Sequence, residues 1–261
     1  MQILHVIPIA RSLETEVLSY FSVKKVENGT LVTVPLRKKQ IEAIVVNSFS
    51  VTDLKSQVKG AGYQLRNISK IHDVQIFSPA FLETTETIKN FYATTSGRVL
   101  NNVTPAILLK DLSELDRNEE QRKSPSFQLR VLQRSLEERI DYYKTLFREK
   151  IFQDESLHII CPTREHCEYL FEQLKKNTEG QSFLFHGGMT KKKFYESYNS
   201  LNDLQKSSLV VSTAHFIDIP QYHTGTLIIE QESSDYYRHI PKPFIDMRVF
   251  AEEYARNSGY E

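Results

Sequence analysis

The residues best suited to chemistry stand where short apolar runs end. Thr226-Leu227-Ile228-Ile229 breaks abruptly into Glu230-Gln231-Glu232. A run this short, rich in β-branched residues and flanked by Gly225 and Ser233-Ser234, predicts a buried strand that delivers polar groups to one edge of a sheet. His186 stands in the same way before Gly187-Gly188, with no evident partner set for catalysis or metal binding, so a structural or backbone-bonding role is expected. His215, His223 and His239 lack a helical metal-ligand spacing, and Cys161 and Cys167, five residues apart, match no zinc pattern. The two thiols are read as reduced packing residues and no metal is expected. None of the nine glycines is followed by lysine, so there is no G-x-x-x-x-G-K-[ST] phosphate loop, and no G-x-S-x-G nucleophile motif occurs. The other chemical cluster is basic: Arg37-Lys38-Lys39, with Tyr20 and Phe21 upstream. Cations for phosphate and rings for bases suit a nucleic-acid strand. The same residues also fit a solvated hairpin tip above two core aromatics.

The elements that must position these residues fall into two groups. Ile3 to Ile9, Leu18 to Val23, Leu31 to Pro35 and Ile41 to Val46 are strand candidates, and Asn28-Gly29 carries the strongest turn signal, that of a tight hairpin. Close-spaced strands with short turns predict a small antiparallel sheet or barrel. Thr52 to Lys59 fits no single pattern, and Tyr63 to Ile71 suggests a further strand. Ser78-Pro79 starts a helix, a capping hydroxyl before proline at the first helical position. Phe81, Leu82, Thr85, Ile88, Phe91 and Tyr92 would share its inward side. A shorter helix is expected at Arg98 to Asn102, stopped by Pro105.

Residues 111–126, charged, poor in apolar side chains and ending in Ser124-Pro125-Ser126, read as a linker. Beyond it strands and helices alternate. Phe127 to Leu132 is a strand candidate, and Ser135-Leu136-Glu137-Glu138 is a capping box opening a helix to about Lys150. Strands at 157–162, 181–185, 208–212 and 226–229 are separated by helices at 164–176 and 191–204. This order predicts a parallel sheet with helices on both faces. The fold class is therefore α/β: an antiparallel, barrel-like unit with a packed helix (1–110), a linker (111–126) and a parallel-sheet unit (127–261).

Composition sets outer limits. With 261 residues, 40% hydrophobic content, 15 Phe and 13 Tyr, the chain can build sizeable cores. No apolar stretch reaches the ~20 residues of a membrane span, and no basic segment precedes the apolar residues of the start, so a cytoplasmic location and no membrane contact are expected. Net charge is zero, but residues 1–110 hold 13 Lys and Arg against 8 Asp and Glu, and the remainder 20 against 25. Any anionic partner would meet the first half.

Several of these segments resemble a known family. Gly29-Thr30-Leu31-Val32-Thr33-Val34-Pro35-Leu36 followed by Ala43-Ile44-Val45-Val46 resembles the G-x-R-V-x-V-P-F and G-I-V-V segments of primosomal protein N-prime (PriA), the replication-restart helicase family. Phe91-Tyr92, Gly97-Arg98-Val99-Leu100 and Pro105 are similar to its Y-Y, G-x-V-L and L-P. The resemblance implies a 3′ DNA-end-binding domain over residues 1–108, acting on a single-stranded 3′ end or a branched fork, with replication or restart proteins as further partners. Ser19 stands where the family has an acid before an aromatic, here Tyr20, and Arg37 where it has glycine. Ser19, Tyr20, Arg37, Lys38 and Lys39 are thus the implied DNA contacts.

The second unit resembles the family's first RecA-like lobe. Cys161-Pro162-Thr163, Phe185-His186-Gly187-Gly188-Met189-Thr190, Val211-Ser212-Thr213-Ala214 and Glu230-Gln231-Glu232-Ser233 fall on V-P-E, L-H-S-G-L-S, I-G-T-R-S and D-E-E-H. The family's phosphate loop aligns with Gln133 to Ile140, which puts Arg139 and Ile140 at the lysine and hydroxyl positions. Glu230 and Gln231 take the positions of the aspartate that holds Mg²⁺ and the glutamate that orients water. An amide cannot accept a proton, and loss of general-base help costs ~10²–10⁴ in rate. No residues remain for a second lobe. The sequence predicts a non-catalytic, cofactor-free DNA-binding protein with a degenerate nucleotide site. The alternatives are a protein-interaction scaffold or a nucleotide-dependent enzyme using an unrecognised site.

Overall fold

A computed structural model describes residues 1–11, 13–50, 65–72, 74–109, 115, 117, 127–176, 178, 180–223, 225–238 and 242–260. The ambiguous stretch at 52–59, most of the expected linker and His239 lie outside the described residues.

The first unit is a six-stranded sheet built from β1 (Gln2–Pro8), β2 (Leu18–Ser22), β3 (Leu31–Leu36), β4 (Lys39–Ser50), β5 (Arg66–Asn67) and β6 (Lys70–His72), in the order β5-β2-β1-β4-β3-β6. All pairings are antiparallel except β2 with β5. β5 and β6 are separated by only Ile68 and Ser69, yet they pair at opposite edges. Ile68 N–H donates to Phe21 O at 3.1 Å and Ser69 N–H to Thr33 O at 2.8 Å. The sheet therefore curls until one short segment bridges both its edges, and Leu4, Val6, Tyr20, Val26, Val32, Val34, Ala43, Val45 and Ile68 fill the interior.

Asn28-Gly29 turns the chain, with Gly29 at φ 86, but it does not join a hairpin. β2 and β3 lie two strands apart, with β1 and β4 between them. A local turn signal fixes the reversal; the apolar rows that pair β1 with both β2 and β4 decide the neighbours. The tight hairpin is instead β3–β4, in which Leu36 pairs with Lys39 across Arg37 and Lys38.

Helix α1 (Pro79–Phe91) begins at Ser78, whose side chain accepts from Phe81 N–H, and α2 (Ser96–Val103) is capped by Thr95. Phe81, Thr85 and Ile88 are buried as their spacing predicts, but Phe91 is 69% exposed. It ends α1, its ring edge-on to Tyr92 at 5.0 Å. α2 rests on β1 so closely that a Cβ on Gly97 would stand 2.1 Å from the Pro8 carbonyl oxygen, so glycine is required there.

The second unit has a four-stranded parallel sheet, β7 (Leu157–Cys161), β8 (Ser182–Phe185), β9 (Leu209–Thr213) and β10 (Thr226–Ile229), in the order β10-β7-β9-β8. Helices α3 (Leu136–Phe152) and α4 (Arg164–Leu174) bury Ile140, Tyr143, Phe147, Cys167, Leu170 and Leu174 against one face. α5 (Lys191–Asn202) and α6 (Met247–Ser258) bury Phe194, Tyr198, Phe250 and Tyr254 against the other. Phe127 to Leu132 is not a strand: Leu129 and Val131 face solvent, and Phe127 is held under the Arg256 guanidinium, 4.0 Å from its ring centre. A strand needs a neighbour for its N–H and C=O groups, and this segment pairs with none of the described strands.

The two units share one core. α1 packs on α6, with Phe81 5.3 Å from Phe250 and 6.3 Å from Tyr254 between ring centres. The same apolar cluster runs from Ile7, Leu31 and Ile44 through α1 and α2 into α5 and α6. Within the stretch read as a linker, Leu115 is buried, and the Arg117 side chain is 6% exposed. Arg117 donates to the carbonyls of Ile76 (3.1 Å) and Asp218 (2.8 Å) and to Asp218 Oδ1 (3.1 Å). Asp218 also accepts from Ser78 N–H at 2.9 Å and from the Tyr254 hydroxyl at 3.0 Å. This buried carboxylate thus ties the α1 cap, the expected linker and α6 together.

Candidate nucleic-acid interface and the strand-end cluster

Ser19 and Tyr20, adjacent on β2, point to opposite faces of the curled sheet. Ser19 is half-buried on the outer face in register with His5. Tyr20 is 5% exposed and fills the interior, so its ring is no stacking surface. Its hydroxyl donates to the Pro35 carbonyl at 3.0 Å, just before the basic turn. Burial raises the Tyr20 pKa, partly offset by Arg66, so the phenol stays protonated and keeps donating. Arg66, exposed and in register with Tyr20, is a cation that the sequence reading did not single out. The signal was weak because β5 is only two residues long.

Arg37, Lys38 and Lys39 are all exposed, and among the described residues none forms an ion pair. Arg37 has φ 55, the left-handed conformation that glycine favours, so the turn keeps a glycine-type backbone while projecting a guanidinium. The β3–β4 hairpin thus presents three uncompensated positive charges at its tip. Tyr20 anchors the base of that tip to β2, whereas Ser19 faces away from it.

Of the four residues aligned with the nucleotide site, two meet: Arg139 and Glu230. Arg139, in the first turns of α3, reaches Glu230 just past β10, with Nη2–Oε1 2.7 Å and Nε–Oε1 3.1 Å. Glu230 is 1% exposed. The Tyr143 hydroxyl donates to Oε2, and His166 Nε2 lies 3.3 Å from Oε1. Burial by itself would raise the Glu230 pKa; the hydrogen bonds from His166, Arg139 and Tyr143 outweigh it and hold the carboxyl down at about 2. Burial also raises the Tyr143 hydroxyl well beyond its ordinary range, so it remains a donor. Ile140 is buried in the apolar cluster and Gln231 is exposed with φ 51, so neither faces Glu230 as a ligand would. Tyr143 and His166 belong to no motif that sequence reasoning singled out. Arg139 and Tyr143 are four residues apart, hence on one helix face, and that spacing was the available signal.

At the start of α3 the Ser135 N–H donates to Glu138 Oε2 at 2.9 Å, and the Glu138 N–H donates back to Ser135 Oγ. The helix N-terminus, a natural anion site, is closed by its own carboxylate. His186 accepts from Gly188 N–H at 3.1 Å through Nδ1 and lies 3.3 Å from Glu168 through Nε2, a positioning role as its sequence context suggested. Cys161 and Cys167 are buried free thiols, and the hydrogen bond with Cys167, together with burial, raises the Cys161 pKa. Among the described residues no group of three or more His, Cys, Asp and Glu is placed to hold a metal ion, and no helix is long and apolar enough to cross a membrane.

No curated protein matches the chain. Residues 6–105 match the sequence model of the 3′DNA-binding domain (3′BD) of PriA. That span takes in the curled sheet from Val6 of β1 onward, with α1 and α2, and ends before the parallel sheet begins. The first unit is, on this match, a PriA-like 3′ DNA-binding domain.

Proposed function

We propose that this chain is a non-catalytic DNA-binding protein that takes single-stranded 3′ ends, free or at a fork, on its first unit, and uses the second as a scaffold in replication restart. The observation that carries the reading is the coincidence of the 3′ DNA-binding match over 6–105 with the uncompensated cationic tip at Arg37 to Lys39. A strand of DNA carries one phosphate per nucleotide, and three exposed cations on a rigid turn suit it. Ser19 offers a hydroxyl for the terminal 3′-OH.

The Glu230 cluster supports the non-catalytic part. A Walker-type acid works by holding hydrated Mg²⁺, and a phosphate-loop lysine by meeting phosphate charge. Here Glu230 and Arg139 neutralise each other, and Tyr143 and His166 take the remaining carboxylate positions. Magnesium and triphosphate would have to break this pairing with no glycine loop to receive them.

The test is binding to a labelled recessed 3′-OH end against a 3′-phosphate end at two salt concentrations. Preference for the hydroxyl end, with a salt slope that falls by about 2 when Arg37, Lys38 and Lys39 are all replaced by Glu, supports the reading. Equal binding to both ends and an unchanged slope reject it. Magnesium-dependent ATP turnover, abolished in Arg139→Ala, would reject the non-catalytic part, as would a nucleotide-induced rise in melting temperature.

A further inference from the structure

The outer face of the curled sheet is divided. Ile7, Ile44 and Leu31 lie in the large core under α1 and α2. The rows beyond them do not. Phe49, Ile3 and Phe21 stand abreast on β4, β1 and β2, because Ile3 pairs with both phenylalanines. Asn47, His5 and Ser19 form the next row, and the Phe49 and His5 rings meet edge-on at 5.0 Å and 65°. Phe21, Phe49 and His5 are half-buried and Asn47 is exposed. Neither phenylalanine packs into any of the three apolar clusters.

A β-bulge creates this surface. His5 pairs with Asn47 but Val6 with Val45, so Val46 is an extra residue in β4. Without it the outward positions of β4 beyond Ile44 would be Val46, Ser48 and Ser50. With it Val46 still packs on the outer core, and the positions beyond it are Asn47 and Phe49. Bulges re-aim side chains, and this one exchanges two serines for an amide and a ring.

The charge around the face is one-sided. β1, β2 and β5 contain no acid, and the sole acid of β4, Glu42, lies at its far end, bonded to the Thr33 hydroxyl. Lys24 follows β2, and Asn67 continues the Phe21 row on β5, whereas Arg66, in register with inward-facing Tyr20, projects to the other side of that strand. Rings with no carboxylate beside them on the described strands, and Lys24 at the margin, suit single-stranded nucleic acid, whose bases stack on aromatic faces. Ser19, the residue implied at the 3′ terminus, belongs to the His5 row, so this surface is continuous with the end site.

We infer that Phe21 and Phe49 form a stacking platform for single-stranded DNA upstream of the 3′ end, with His5 and Asn47 as polar contacts between them and the terminal site. Two strand spacings, ~10 Å, separate the phenylalanines, so they take different bases. The inference rests on the 3′-end reading, which fixes where the strand starts.

Phe21→Leu and Phe49→Leu in the full chain keep the apolar cover over Ile3 and remove the aromatic face; an unchanged melting temperature verifies the fold. The probe is 5′-labelled octathymidylate with a free 3′-OH, and a second octamer in which the three positions before the terminal nucleotide are abasic. Each variant is expected to weaken octathymidylate binding by about 5- to 100-fold, while the abasic octamer, already weakened, loses no more than twofold further. Unchanged affinity for octathymidylate in both variants overturns the platform, as does an equal loss on both octamers. A wild-type chain that binds neither octamer rejects the end-binding reading itself, a result distinct from the other two.

Discussion

The Tyr20 hydroxyl donates to the Pro35 carbonyl 3.0 Å away, across the interior of the curled sheet, and so couples β2 to the base of the cationic hairpin. Tyr20→Phe removes the donor and leaves a part-buried carbonyl short of a partner. The expected cost is about 1 kcal/mol, measured by urea unfolding, together with weaker binding of 3′-ended DNA from a looser hairpin tip. Full stability with unchanged binding would show that the hairpin is held by its ladder alone.

Arg37 contributes charge and strain at once. In Arg37→Gly the left-handed φ becomes free of cost, against a larger unfolded-state entropy, so stability should change by no more than about 1 kcal/mol and in the stabilising direction. DNA affinity should fall and the salt slope shrink by about 0.7, one phosphate contact on a single strand. Opposite movement of stability and affinity in one variant separates the two roles.

Glu230 predicts an acid-sensitive fold. Its carboxyl is held at about 2 against an ordinary 4.5. A depressed carboxylate stabilises the fold above the unfolded pKa and loses that contribution as pH falls through the folded one. About 3 kcal/mol should therefore disappear between about pH 5 and pH 2. Glu230→Gln should flatten this part of the stability profile and destabilise the protein at neutral pH by roughly 3 kcal/mol, because Arg139 is left without its counter-charge. Removing both charges, Arg139→Met with Glu230→Leu, should recover much of the loss. Calorimetry from pH 2 to pH 7 on the three proteins tests the sequence of effects.

Gly97→Ala sets helix propensity against space. A methyl group gains up to ~1 kcal/mol within a helix, yet here it would meet the Pro8 carbonyl at 2.1 Å. α2 would have to lift from β1, and a net loss of roughly 2–4 kcal/mol is expected. A stabilised variant would contradict the close approach.

Alternation and caps made most elements legible. The strands at 157–161 and 226–229, the Ser78 and Ser135 caps and the parallel order of the second sheet all followed from local pattern. Partner choice did not. Asn28-Gly29 gave a turn but not the strands it separates, since pairing is settled by distant apolar rows. Phe127 to Leu132 has strand-like alternation and no partner among the described strands. At the candidate sites, the alignment singled out Arg139 and Glu230 but not their pairing with each other, nor the hydroxyl of Tyr143 and the imidazole of His166. The inward turn of Tyr20 and the outward turn of Phe49 depend on sheet curl and on one extra residue in β4, and neither is a property of the local sequence.

The continuous apolar cluster and the Asp218 tie make each half of this protein the other's hydrophobic cover. Cutting after the DNA-binding match would strip α1 of the Phe250 and Tyr254 wall and leave the α1 cap without its buried acceptor. A fragment trimmed to the recognised module is thus a different molecule, prone to stick through its bared helix. The second unit thus has a part in the molecule that needs no nucleotide: its α6 is the wall on which α1 of the first unit rests.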